Sequence, residues 1–311
     1  MTVSLEQVKV LSRLSDCGSQ RDWVWRGWQT RYSYIRAAQT GAAQPPMILL
    51  HGFGASIGHW RHNLPVLSAD RDVYALDLLG FGGSRKAAAN YNISLWVEQV
   101  YEFWQNLIQQ PAILVGNSIG SLVGLAAADA HPEMVRGVTM ISLHDPGARA
   151  DVMPGWLQTA IAPLEGLVAS PPLLKIIFYL VRRPSVVRKW AAMAYAHPSA
   201  ITDELVEILA QPAQDEGSAQ AFANILRGMT SAKFGPSVKT ILPQLKIPLL
   251  LIWGKQDRMI PPGLAQRFVQ LNPQVQLVEL ADAGHCAHDE CPEEVNQIIL
   301  DWVREAIAIQ N

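Results

Sequence analysis

The chain has 311 residues, of which 49% are hydrophobic and 17% charged, and its formal net charge is −2. Apolar content of that size excludes a disordered chain and suffices to bury both faces of a large sheet. The near-neutral balance offers no drive for neutralising many phosphates, so nucleic acid is not an expected partner.

At the start, Met1 to Val10 carries Glu6 ahead of any sizeable apolar run, unlike the basic start and apolar middle of a secretory leader, and a cytoplasmic chain is expected. Asp22 to Trp28 and Arg31 to Ala38 alternate apolar with polar residues at period two, which predicts an antiparallel edge hairpin with one wet face. The pattern then changes. Met47–Leu50, Val73–Leu76, Ile113–Val115, Val138–Leu143, Leu249–Trp253 and Val275–Leu280 are short, nearly continuous apolar runs, each followed by a helical stretch. Strands buried on both faces read this way, so the fold class is α/β, a mostly parallel central sheet flanked by helices.

Between Pro146 and about Pro243 the alternation stops, and the segment reads as helices punctuated by prolines. It begins directly after the sixth strand, at the carboxyl edge where ligands of open α/β sheets bind, so a helical cap over a site is expected. The expected organisation is a core over residues 1–145, a cap over 146–243 and the remaining core over 244–311. No run approaches the roughly 18 consecutive apolar residues of a membrane-spanning helix. Leu173 to Val181 comes nearest.

Gly116-Asn117-Ser118-Ile119-Gly120 lies between an apolar strand and an Ala- and Leu-rich helical stretch. Glycines two residues either side of a serine permit the strained strand-to-helix turn that lifts Oγ clear of a sheet, which makes Ser118 a candidate nucleophile. A serine hydroxyl needs a base, and the base needs a partner to set its tautomer. Asp257, just past Leu249–Trp253, and His285, just past Val275–Leu280, follow in the order that such a sheet requires. Asp145 also follows a strand and is the alternative acid. His288 is the nearest rival base, and its place further into the loop predicts a surface or pocket-rim residue.

Acyl transfer also needs donors for the oxyanion. The turn His51-Gly52-Phe53-Gly54 supplies one candidate, so the Phe53 and Ile119 backbone amides are expected to form the hole. A second glycine turn, Asp77 to Ser84, reads as architectural. Cys17, Cys286 and Cys291 are an odd number without the close pairs of a structural zinc site, so free thiols are expected, with no metal and no cofactor.

With these motifs placed, the chain resembles the α/β-hydrolase superfamily over nearly its whole length. A closer resemblance is to the chlorophyll dephytylase and pheophytinase-like hydrolases of plants and cyanobacteria, through His51–Trp60 (HGFGASIGHW), Asp77–Ser84 (DLLGFGGS), Gly116–Ser121 (GNSIGS), Glu207–Gly217 (EILAQPAQDEG) and Gly284-His285-Cys286. That resemblance implies a serine carboxylic-ester hydrolase working through an acyl-enzyme and removing phytol from chlorophyll or a related tetrapyrrole ester. Trp156, Leu157, Ile177 and Phe178 in the cap are the candidate substrate-lining residues.

Ser118 argues against the epoxide hydrolases and haloalkane dehalogenases of this fold, which attack with an aspartate. A general esterase or lipase, a carbon–carbon bond hydrolase and a non-catalytic ligand receptor remain alternatives. Between Gly166 and Thr202 there is no Asp or Glu, while Lys175, Arg182, Arg183, Arg188 and Lys189 accompany an apolar run. The cap is therefore expected either to touch a photosynthetic, thylakoid-type membrane peripherally or to cover the site with its apolar face.

Overall fold

The computed structural model describes residues 17–37, 44–147, 170–231 and 233–307. Within them lies an eight-stranded sheet of order β1-β2-β4-β3-β5-β6-β7-β8. The strands are β1 (Ser19–Trp25), β2 (Trp28–Ile35), β3 (Met47–Leu50), β4 (Val73–Leu76), β5 (Ala112–Asn117), β6 (Val135–Ile141), β7 (Leu249–Gly254) and β8 (Val275–Leu280). β1, β2 and β4 pair antiparallel at one edge, and every pairing from β4 to β8 is parallel.

The edge hairpin turns at Arg26-Gly27, with Trp25 opposite Trp28, rather than after Trp28 as the alternation suggested. Both turn residues have positive φ (49° and 82°), as a two-residue hairpin matched to strand twist requires, and Gly27 supplies one of them without steric cost. Strand β6 ends two residues short of the predicted Leu143, because Ser142 adopts φ 50° and cannot continue a strand.

The central strands are buried on both sides. In β3 all four side chains are fully enclosed, with Ile48 and Leu50 packing into one apolar cluster and Met47 and Leu49 into the other. A parallel sheet between two helical layers imposes this, since neither face meets water.

The helices are α1 (Leu64–Leu67), α2 (Ile93–Leu107), α3 (Ile119–Ala130), α4 (Pro171–Val181), α5 (Pro184–Ala194), α6 (Asp203–Ala210), α7 (Ser218–Met229), α8 (Val238–Ile241), α9 (Gly263–Leu271), α10 (Ala287–Glu290) and α11 (Pro292–Trp302). Five of them, α4 to α8, lie between β6 and β7, and α4 to α7 form the cap inserted after the sixth strand. Pro171 and Pro184 each open a helix, where a missing N–H costs nothing. Ala221 and Ile225 of α7 are buried in the core cluster and seat the cap on the sheet layers. Among the described residues no helix is long and apolar enough to cross a membrane.

Candidate active site

Ser118 sits between β5 and α3 at φ 55°, ψ −114°, a conformation that costs a side-chain-bearing residue about 1–3 kcal/mol and persists only where the surroundings enforce it. Its amide donates to the Ile141 carbonyl at 2.8 Å. A side chain at Gly116 would run into the backbone of Gly120 and Ser121, and one at Gly120 into the carbonyls of Leu50 and His51. Both glycines are therefore needed for the chain to pass so closely. The buried Ser121 hydroxyl donates to the Gly116 carbonyl at 2.7 Å and receives the Ile141 amide at 3.0 Å, locking β5 to β6 beneath the turn.

His285 and Asp257 meet at the carboxyl ends of β8 and β7, both buried. His285 Nδ1 lies 2.8 Å from Asp257 Oδ2, while Asp257 Oδ1 accepts the amides of Met259 (2.8 Å) and Ile260 (2.9 Å). One carboxylate oxygen is thus held by the backbone and the other receives the imidazole N–H, which leaves Nε2 as the basic nitrogen. Two further bonds hold the histidine. Asn117 Nδ2 donates to its carbonyl at 3.1 Å, and its own amide donates to the Ala194 carbonyl of the cap at 2.6 Å.

Asp145 has a different task. Its Oδ1 accepts from Gly147 N (2.9 Å) and Val238 N (3.2 Å), tying together the points where the chain leaves for the cap and returns from it. His288 is a correction to the sequence reading. It is fully buried, not at a rim, packed on Trp60 (4.2 Å) and edge-on to His59 (4.5 Å). Burial holds its pKa well below the usual histidine value.

The turn after β3 lies directly against the serine, since a Cβ built on Gly52 would stand 3.4 Å from that of Ser118. His51 orients this turn, a role its place in the motif had not suggested. The Leu78 amide donates to His51 Nε2 (3.1 Å), so Nδ1 carries the proton and donates to the Gly52 carbonyl (2.7 Å). The ring is fully buried, and desolvation lowers its pKa to about 4, keeping it neutral. In a planar trans peptide, a Gly52 carbonyl turned toward His51 sends the Phe53 N–H the opposite way. The Ile119 amide opens helix α3, where no carbonyl one turn earlier exists to receive it. Asp77 braces the same region from below: Oδ1 accepts Ile57 N (2.7 Å) and Oδ2 accepts Gly83 N (2.6 Å), and burial raises its pKa to about 6.

Ser118, Phe53 and His285 open onto one largely apolar cavity of about 550 Å³, roofed by the cap. Of the candidate lining residues, Ile177 and Phe178 line this cavity, and Trp156 and Leu157 lie outside the described residues. Its polar corner was not legible in the sequence. His59 Nε2 stands 2.8 Å from the Tyr195 hydroxyl, Tyr195 donates to Asp289 Oδ2 (2.6 Å), and Arg61 Nη1 donates to Asp289 Oδ1 (2.6 Å). These partners are separated by 94 to 228 positions, so no local pattern announces them. Burial lowers the His59 pKa to about 4. It also pushes the Cys286 thiol well above its ordinary range, which keeps it protonated and a poor nucleophile. Among the described residues, no group of three or more His, Cys, Asp or Glu is placed to hold a metal ion.

Residues 45–292 match the model of a family described as having the alpha/beta hydrolase fold. Among curated proteins, the chain is 27% identical over 266 residues to the dihydrolipoyllysine-residue acetyltransferase component of the acetoin cleaving system of Pseudomonas putida, covering 85% of this chain and 65% of that protein. It is 24% identical over 310 residues to the chloroplastic pheophytinase of Arabidopsis thaliana, covering 88% of this chain and 64% of that protein. The chain thus spans slightly less than two thirds of the length of both relatives. A solved structure of a bacterial membrane phospholipase A, 25% identical, matches with a TM-score of 0.75 over 97% of this chain and 92% of that one.

Proposed function

Because the chain belongs to the alpha/beta hydrolase fold family, whose model matches well over half of it, we propose that it is a serine carboxylic-ester hydrolase acting on an apolar ester, with Ser118 as nucleophile. The observation that carries this reading is that Ser118, on a turn held at positive φ, lines one cavity with a histidine whose Nδ1 is engaged by the Asp257 carboxylate.

In the proposed reaction Ser118 Oγ attacks the ester carbonyl carbon while His285 Nε2 takes the hydroxyl proton. The carbonyl oxygen becomes an oxyanion facing the Phe53 and Ile119 amides, each worth roughly 3 to 4 kcal/mol of barrier in such a hole. Collapse breaks the carbon–oxygen bond to the alcohol, which leaves with the proton held by His285, and the acyl group stays on Ser118. Water then attacks the acyl-enzyme, gives its proton to His285, and releases the acid as Ser118 regains its hydrogen. Asp257 keeps the imidazole in the tautomer that these steps require.

For the substrate, the proposal is the phytyl ester of chlorophyll or of a related tetrapyrrole. The similarity to the Arabidopsis pheophytinase over 88% of this chain supports it, as does an apolar cavity of a size suited to a long alkyl group. The test is to incubate the purified protein with chlorophyll a and pheophytin a side by side and to chromatograph the products. Chlorophyllide or pheophorbide with free phytol is expected. A second reading, an esterase acting on simpler lipid esters, is favoured by the likeness to a membrane phospholipase A. Turnover of aryl and acylglycerol esters with no dephytylation of either pigment would select it.

A further inference from the structure

Of the ten large hydrophobic side chains exposed among the described residues, five fall on the consecutive cap helices α4 and α5: Ile176, Tyr179, Leu180, Trp190 and Met193, each between 47% and 60% exposed. On α4 the exposed residues recur at helical spacing, while Leu174 and Phe178 are buried on the opposite side. A concentration of this kind marks a surface that is covered in use.

The charges carried by these two helices and the turn between them are all basic, with Asp203 and Glu207 across the groove that Tyr179, Arg182 and Arg183 line. Lys175, Arg182, Arg183 and Lys189 form no ion pair with an acidic side chain among the described residues, and the Arg182 guanidinium lies 4.6 Å from the centre of the Tyr179 ring. The structure removes Arg188 from the set expected to meet anionic lipid. That residue pairs with Asp203 and donates to the Ile201 carbonyl at 2.6 Å. The face is also continuous with the active-site mouth, because Arg182 and Trp190 line the cavity onto which Ser118 opens.

We infer that α4 and α5 form a docking face for an anionic lipid bilayer, with the mouth of the cavity turned toward the acyl chains. A second copy of the chain would bring like charges together, and an acidic protein surface would meet the cations without covering the apolar side chains. A bilayer interface does both: headgroup phosphates receive the cations, and the indole, phenol and aliphatic groups enter the headgroup–acyl boundary. An apolar ester then passes from the bilayer into the cavity without crossing water. Only this last step rests on reading the cavity as the active site.

The test is flotation of the Ser118→Ala protein, which docks without turnover, on vesicles of phosphatidylcholine containing increasing phosphatidylglycerol. Binding rises with the anionic fraction and falls with salt. Each cation near an anionic surface strengthens partitioning about fivefold, so Lys175→Gln/Arg183→Gln/Lys189→Gln together weaken it by roughly a hundredfold. Ile176→Ser/Leu180→Ser/Met193→Ser weakens it by about tenfold or more. Neither set lines the cavity. Placed in the protein with Ser118 intact, both leave turnover of a short soluble aryl ester unchanged, which also shows that the variants fold. Three results would overturn the inference: no flotation of the parent at low salt, flotation unaltered by both sets, or self-association lost in the serine set without vesicle binding, which would assign the face to a second copy. Failure of fluorophosphonate to label Ser118 would count against the hydrolase reading alone, because flotation does not depend on it.

Discussion

Replacing Asp257 by asparagine changes a single atom, and the surrounding hydrogen bonds decide which way the new amide faces. The amides of Met259 and Ile260 both donate to Oδ1, at 2.8 and 2.9 Å. In Asp257→Asn they keep the amide oxygen where Oδ1 stood and so turn the new NH2 group toward His285 Nδ1, 2.8 Å away in the parent. That NH2 can only donate. His285 must then present a lone pair at Nδ1 and carry its proton on Nε2, the nitrogen that in the proposed reaction receives the Ser118 proton. The same tautomer error in another serine–histidine–aspartate enzyme lowers kcat by about 10⁴, close to 5.5 kcal/mol of barrier. The expected result is a fall of that size in kcat for a soluble aryl ester, a parallel slowing of fluorophosphonate labelling, and a thermal midpoint near that of the parent. Asp145→Asn keeps an oxygen to accept from Gly147 and Val238 and is expected to stay within about tenfold of the parent. If Asp257→Asn retains more than about a tenth of parental kcat, or Asp145→Asn does the greater damage, the assignment of the acid is refuted.

Ser118→Ala is expected to abolish ester hydrolysis and fluorophosphonate labelling while the protein remains folded, since the hydroxyl contributes no core packing; substantial residual turnover would remove Ser118 as nucleophile. His51→Ala releases the Gly52 carbonyl and with it the orientation of the Phe53 amide. A loss of about 10² to 10³ in kcat with little change in KM is expected, and an unchanged kcat would show that the turn holds its shape without His51. The buried histidines make the fold sensitive to acid. His51 and His59 titrate near 6.5 when unfolded and about 4 when folded. As pH falls from 6.5 the unfolded chain takes up protons that the folded one refuses, so the stability present above 6.5 is lost down to about 4. Asp77 acts the other way, because its folded value of about 6 lies above the ordinary 3.8 and protonation favours the folded state in that window. Two histidines, joined by His288, whose shift has the same direction, outweigh one aspartate. The thermal midpoint should therefore fall between pH 6.5 and 4, and a flat or rising midpoint would show that these rings are not held neutral by burial.

The parallel sheet was legible in the sequence because its strands are buried on both faces, which forces runs such as Met47–Leu50 to be wholly apolar. The place of the cap was legible for a related reason: helices in a row cannot supply strand runs, and prolines such as Pro171 and Pro184 open helices at their first turns. Ser118, Asp257 and His285 each follow a strand end, and their order along the chain is a property of the sequence alone. The hairpin was read less well, since period-two alternation says where a face is wet but not where a two-residue turn of positive φ falls, here Arg26-Gly27. Tertiary structure alone decided everything that depends on distance between remote positions. It placed Asp257 and not Asp145 against His285, brought Asn117 to the His285 carbonyl, paired Arg188 with Asp203, and enclosed His288 beside Trp60. A residue's type and neighbours limit what it can do, but its partner, its protonation and its access to water are set by groups that the chain brings back from far along its length.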